Sequence, residues 1–253
     1  ITIQLFNGPR AAQLLSQPVV SDFRSADVKA GGEGAPLAPL YHQARLGTQR
    51  DAVAILNIGG VSNVSYCAPD HLLAFDTGPG SALLDDFMRQ RLGIDYDHNG
   101  EVARRGRADH ALIDDVLSHP FFMKPPPKSL DRNMFHDFLK KVEALSDADG
   151  AATLTSFTSR TVKAACRHFP KPVSQWYICG GGRHNRFLME TMAEDLEAEI
   201  HPVEALGWNG DMLEAECFSW LAVRSLKSLP LSLPTTTGVR HPMTGGRIDI
   251  PEL

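Results

Sequence analysis

Three times in this chain a β-rich apolar run ends abruptly in glycine. Val53–Ile58 (VAILNI) runs into Gly59-Gly60 and then Val61–Tyr66 (VSNVSY); Leu72–Phe75 stops at Asp76-Thr77-Gly78-Pro79-Gly80; Gln175–Cys179 stops at Gly180-Gly181-Gly182. The first pattern predicts a hairpin, because two β-rich runs joined by Gly-Gly can close on each other without Cβ hindrance. The other two are followed by helical spacing, Ala82–Leu92 after a capping Ser81 and Asn185–Glu197 after the triple glycine. Strand, glycine corner, helix is the unit of an open α/β sheet, and such sheets bind ligands at those corners.

The rest of the chain agrees with an α/β class. Ile1–Leu5 and Pro18–Asp22 read as short extended pieces, Ala30–Pro36 (AGGEGAP) as a loop, and Glu199–Pro202 as a strand. Helical periodicity marks 109–117, 134–145, 151–169 and 211–226, with a proline-rich KPPPKS loop at Lys124–Ser129. The tail from Pro230 is rich in turns, with room for one edge strand. The opening Ile1–Phe6 alternates like a strand interior, so residues are expected to precede it.

Composition narrows the function classes. With 253 residues, 43% of them hydrophobic, the chain is long enough for a sizeable core. A formal charge of -5 and the lack of a basic stripe argue against nucleic acid. Apolar runs are strand-sized, which argues against a membrane span. Cys67, Cys166, Cys179 and Cys217 are too scattered for a zinc ribbon or disulfide framework and read as reduced core thiols. No HExxH, Walker A or GxSxG pattern occurs, and His119, His168 and His201 at element ends read as solvated.

Several residues could carry chemistry. NIGGVSN (Asn57–Asn63) can cradle a phosphate on backbone N–H groups, or be a plain hairpin. Asp76 is a carboxylate at the end of a buried strand: a general base, an anchor for Mg²⁺ through water, or the acceptor of turn amides. CGGGRHN lets a flat ligand or phosphate lie against the main chain at a helix N-terminus, and equally can just join two elements. Arg24, near the AGGEGAP loop, can hold an anion bidentately or form a surface ion pair. Asp211 and Glu214 have the spacing of a capping box, which leaves Glu214 open as a site residue.

In order, SDFRSADVKAGGEGAPL, LNIGGVSNVS, AFDTGPGSALLDDF, YDHNGEVARRG, PPPKS, CGGGRHNRFLM and DMLEAECFSWLA resemble the anhydro-N-acetylmuramic acid kinase family. The resemblance implies an actin-like, ribonuclease-H-like fold with two lobes around a nucleotide cleft. It implies ATP and Mg²⁺, a homodimer in the cytoplasm, and opening of a 1,6-anhydro-muramyl sugar by water with phosphorylation of O6, in cell-wall recycling. Asp76 would activate the water, and Arg24 and Glu214 would hold the sugar. Asn57, Gly59, Gly60, Asn63, Gly78 and Gly80 would serve the phosphates, and Gly180, Gly181, Gly182 and Asn185 the adenosine. No residue is assigned to the metal directly. Ser81, Leu130-Asp131, and the cations Arg183 and Arg186 depart from the family pattern.

The GTSxDGxD phosphate loop that opens the family has no match, so a fragment or internal-start product is expected, with the first lobe incomplete. Residues 1–24 would belong to that lobe, 25–230 to the second lobe, and 231–253 to a tail returning toward the first. A catalytically dead nucleotide- or sugar-binding module, or a sugar kinase with another substrate, would share these motifs.

Overall fold

The computed structural model describes residues 5–48 and 51–251. The strands are β1 (Val19–Ser21), β2 (Val53–Ile58), β3 (Val61–Ala68), β4 (His71–Pro79), β5 (Gln175–Cys179), β6 (Glu199–Pro202) and β7 (Arg247–Asp249). The helices are α1 (Gly8–Leu15), α2 (Ser25–Lys29), α3 (Pro39–Leu46), α4 (Ala82–Leu92), α5 (His110–Leu117), α6 (Pro120–Met123), α7 (Phe138–Val142), α8 (Asp147–Ala165), α9 (Arg186–Leu196) and α10 (Leu213–Leu226).

The central sheet has five strands in the order β4-β3-β2-β5-β6. β2, β3 and β4 form an antiparallel meander, and β5 and β6 continue from β2 in parallel. This mixed α/β sheet agrees with the ribonuclease-H-like lobe that the motifs imply. β2 is buried on both faces, and its period of two divides the core. Ala54, Leu56 and Ile58 point into a layer with Val162, Leu188 and Met192 of α8 and α9. Ile55 points the other way, toward Tyr41, Trp208, Leu213 and Leu221 around α3 and α10. A third cluster, rich in Phe, packs α4 to α7 against Phe157 of α8.

Helix α8 can lie close to its neighbours because its buried face is small and hydroxylic. Thr153 and Thr161 donate their hydroxyls to main-chain carbonyls of their own helix, and Thr158 donates to the Gly80 carbonyl at 2.9 Å. These bonds satisfy polar groups that burial would otherwise penalise. Outside this sheet, β1 and β7 pair antiparallel as a two-stranded ribbon, joining residues 19–21 to 247–249.

Some local expectations are corrected. The β4 strand runs on through Asp76–Pro79, paired with β3, so the DTGP segment is strand rather than turn. Ser81 precedes α4 with helical dihedrals and makes no side-chain cap. The apolar spacing over 134–145 gives a helix only at Phe138–Val142, preceded by turns. Helix α8 starts earlier than predicted, at Asp147, because Ser146 accepts the Asp149 N–H as a true cap. Asp211 does not cap α10, which begins at Leu213; its carboxylate instead meets Arg183. His168 is not solvated at its Nε2, which is buried, and its ring stands edge-on to Phe75. The proposed Ile1–Leu5 strand falls almost wholly outside the described residues. Four helices had no forecast: α1, capped by Asn7, the short α2, α3, started by Pro39, and α6, started by Pro120.

Candidate active site

Two adjoining clefts open beside the glycine corners, sharing Gly181 and His184. The one of about 440 Å³ is lined by Arg24, Asn57, Asn63, Asp76, Gly180, Gly181 and Glu214, residues drawn from segments up to 190 positions apart. The other, of about 640 Å³, is lined by Gly80, Gly181, Gly182 and Asn185 together with Leu84, Tyr96, His98, Thr155 and Leu188. Gly59, Gly60 and Gly78 line neither.

Asp76 is held at both ends of the residue. Its N–H donates to the Lys128 carbonyl at 3.0 Å, and its Oδ2 accepts the Leu130 N–H at 2.8 Å. Burial pushes its carboxyl up to about 6; the Leu130 bond opposes that rise, nearby Glu33 adds to it, and Lys128 opposes it. The net effect is a carboxyl group held above its ordinary range. Burial alone pulls His42 of the same cleft down to about 4, and its Nδ1 lies 2.9 Å from the Ser65 hydroxyl.

Arg24 lies three residues past β1, at the start of α2, so the β1–β7 ribbon helps place it. Its Nη1 donates to the Gly34 carbonyl at 2.6 Å. Buried Asp27 shapes the same loop by accepting Gly34 N–H at 2.8 Å and the hydroxyls of Thr237 and Ser232. Glu214 stands exposed on the first turn of α10, its carboxylate without a hydrogen bond or ion pair among the described residues.

NIGGVSN and DTGPG are stitched together. Gly80 N–H donates to the Gly60 carbonyl at 3.0 Å and Ser81 N–H to the Gly59 carbonyl at 2.8 Å. A Cβ on Gly80 would collide with the Gly59 carbonyl oxygen. Those two amides are therefore spent inside the protein, and Gly60 remains the exposed tip of the hairpin. Gly78 serves packing: a Cβ there would lie 2.7 Å from the Thr161 side chain of α8.

At the third corner Gly180 has φ of 75°, and any Cβ would strike Asn57 and Ile58. Asn185 caps α9 by accepting Leu188 N–H at 3.0 Å. Arg183 adds no free cation to this turn. Only 4% of its side chain is exposed, and it donates to Glu204 at 3.0 Å, Asp211 at 2.5 Å and the Gly180 carbonyl at 2.8 Å. Arg186 is exposed and pairs with Glu190.

Sequence reasoning left out His42, Asp85, Tyr96 and Thr155. Asp85 is half-buried in the larger cleft, and burial raises its carboxyl to about 6. Thr155 presents a buried hydroxyl oxygen with no partner among the described residues. Tyr96 and His98 belong to YDHNG, whose Asn-Gly turn was a visible signal. Buried Asp97 fixes that turn by accepting Val102 and Ala103 N–H, each at 2.9 Å. His42 and Thr155 carried no local pattern at all.

The family model for anhydro-N-acetylmuramic acid kinase matches residues 1–250. The chain belongs to this family. It is 48% identical over 248 residues to the anhydro-N-acetylmuramic acid kinase of Rhodospirillum rubrum, covering 97% of this chain and 66% of that protein. The enzyme of the same name from Rhodopseudomonas palustris is 49% identical over 257 residues, covering 99% of this chain and 69% of its own length. The chain thus spans about two thirds of the length of these curated relatives. Among solved structures, the activator of 2-hydroxyisocaproyl-CoA dehydratase from Clostridium difficile with bound ADPNP superposes with a TM-score of 0.43 and 15% identity. That match covers 76% of this chain and 69% of that one. Component A of (R)-2-hydroxyglutaryl-CoA dehydratase from Acidaminococcus fermentans gives 0.44 and 16%, over 65% and 60% of the two chains. At such scores neither bears on function here.

Proposed function

We propose that this chain carries the sugar-opening half of an anhydro-N-acetylmuramic acid kinase, with Asp76 as the base. The observation that carries this is the cleft in which Asp76, Arg24 and Glu214 meet Asn57 and Gly180. In this reading Asp76 accepts a proton from water as that water's oxygen bonds to C1 of the 1,6-anhydro sugar. The C1–O6 bond breaks with inversion at C1. Arg24, its guanidinium braced on the Gly34 carbonyl, and Glu214, its carboxylate unengaged among the described residues, hold the sugar's polar groups. A retaining or inverting glycosidase needs a second carboxyl group to protonate the leaving oxygen. When bound, ATP supplies the phosphoryl group that captures O6, which removes that need.

The larger cleft suits a nucleoside. Its glycine floor admits close approach, α9 offers an N-terminus, and the Thr155 hydroxyl, unpartnered among the described residues, offers a buried polar contact. No group of three or more His, Cys, Asp or Glu able to hold a metal occurs among the described residues. Mg²⁺ would therefore be carried largely by phosphates and water. A homodimer in the cytoplasm rests on the family resemblance; among the described residues no helix is long and apolar enough to cross a membrane.

The test is incubation with 1,6-anhydro-N-acetylmuramic acid, ATP and Mg²⁺ in ¹⁸O-water. N-acetylmuramic acid 6-phosphate with ¹⁸O at C1 is expected, from this chain or from it joined to a relative's opening phosphate-loop segment. Label at the phosphate instead of C1, or turnover of a reducing hexose in preference to the anhydro sugar, would contradict the reading.

A further inference from the structure

Lys128, in the PPPKS loop, sits where a lysine is costly. It is 2% exposed, and its Nζ donates to the Phe121 carbonyl at 3.0 Å. The ammonium lies 4.6 Å from the Phe121 ring centroid and 5.6 Å from that of Phe75, the residue directly before Asp76. Methionine would fill much the same space without the desolvation of a charge. Packing therefore does not account for the lysine.

The backbone of the same segment accounts for it better. Lys128 accepts the Asp76 N–H on its own carbonyl, and Leu130 donates to the Asp76 carboxylate. Ser129 between them donates to Glu33 at 2.9 Å. Residues 128–130 thus bracket Asp76, and the buried ammonium anchors that bracket to α6. We propose that Lys128 is a positioning residue for Asp76, pinning residues 128–130 and supplying the positive field in which the carboxylate loses its proton.

The other charges near the pair are identifiable. Glu33 faces Asp76 from the glycine loop and acts against Lys128. Arg24, Glu214, Asp211, His184 and neutral His42 line the same cleft, and Arg183 is already matched by Glu204 and Asp211. Lys124, Arg167 and His168 also interact electrostatically with the ammonium, and Lys124 lies 3.9 Å from Glu33. Burial, then Arg167 and Lys124, pull Lys128 down to about 8 while Asp76 opposes. It therefore remains charged through the range near 6 where Asp76 titrates.

The inference rests on Asp76 being the base, and its test does not need turnover. The Leu130 amide, bonded to Asp76, reports that carboxylate's titration in ¹H–¹⁵N spectra of the chain. In K128M and K128Q the midpoint should rise by about half a pH unit or more, and in K128R it should stay near the parent value. D76N should abolish the step, which identifies it. An unmoved midpoint in folded K128M or K128Q, or the same upward shift in K128R, overturns the proposal. Failure of all three Lys128 variants to fold also overturns it, since the lysine is then needed for stability alone. Loss of the base assignment would appear separately, as unimpaired turnover in D76N.

Discussion

A carboxylate serves as a base near neutral pH only if its surroundings resist its charge, and Asp76 meets that condition through burial at the mouth of a cleft. Its folded value lies above the unfolded one, from 3.8 to about 6, so the native state binds the proton more tightly. Stability contributed by the protonated form is present below about 4 and lost as pH rises through about 6. D76N should therefore stabilise the protein at pH 7 by at most about 3 kcal/mol, seen as a higher melting temperature, with the difference vanishing near pH 4. The same variant should lose about 10²-fold or more in turnover, and the parent's rate should fall as pH drops below about 6. E214Q should raise KM for the sugar roughly tenfold with a smaller effect on kcat, if its contact forms before the reaction. A kcat loss alone would move Glu214 out of the binding role.

At the level of elements, the glycines of DTGPG do different work, which substitution can separate. Ala at Gly78 must displace Thr161 of α8, so G78A should lower stability by roughly 1–3 kcal/mol in denaturant melts. Ala at Gly80 strikes the Gly59 carbonyl and must break the bonds that tie the hairpin to α4. G80A should weaken nucleotide binding in calorimetry more than G78A does; equal effects would show that both act through folding. The strands and the corners at Gly59-Gly60 and Gly180–Gly182 were legible in sequence because β-propensity and glycine act locally, whereas DTGP, read as a turn, continues β4. The helix over 134–145 was misread because its apolar residues serve a Phe-rich cluster through turns, and periodicity cannot distinguish a packed turn from a helix. Likewise the Asp211–Glu214 spacing fits a cap, yet Arg183, distant in sequence, takes the Asp211 carboxylate.

Across the whole molecule, three long-range ties shape the active cleft. The β1–β7 ribbon sets Arg24, Asp27 fastens the glycine loop to Ser232 and Thr237, and Arg183 joins the Gly180 corner to Glu204 and Asp211. Breaking a buried ion pair costs about 3–5 kcal/mol. Here both acids are partly or largely exposed, so R183M should cost roughly 2 kcal/mol in chemical denaturation and loosen the Gly180 corner. An unchanged midpoint would mean that water satisfies the two acids equally well.

By itself the sequence determined the α/β class, the corners at Gly59-Gly60 and Gly180–Gly182, and the candidacy of Asp76, Arg24 and Glu214, because steric freedom, β-propensity and motif order are written in neighbouring residues. Only the tertiary structure decided which amides are spent between Gly59 and Ser81, that Arg183 is neutralised, and that a buried lysine brackets Asp76. Those facts depend on desolvation and on contacts between residues tens to hundreds of positions apart, and a one-dimensional pattern holds no record of either.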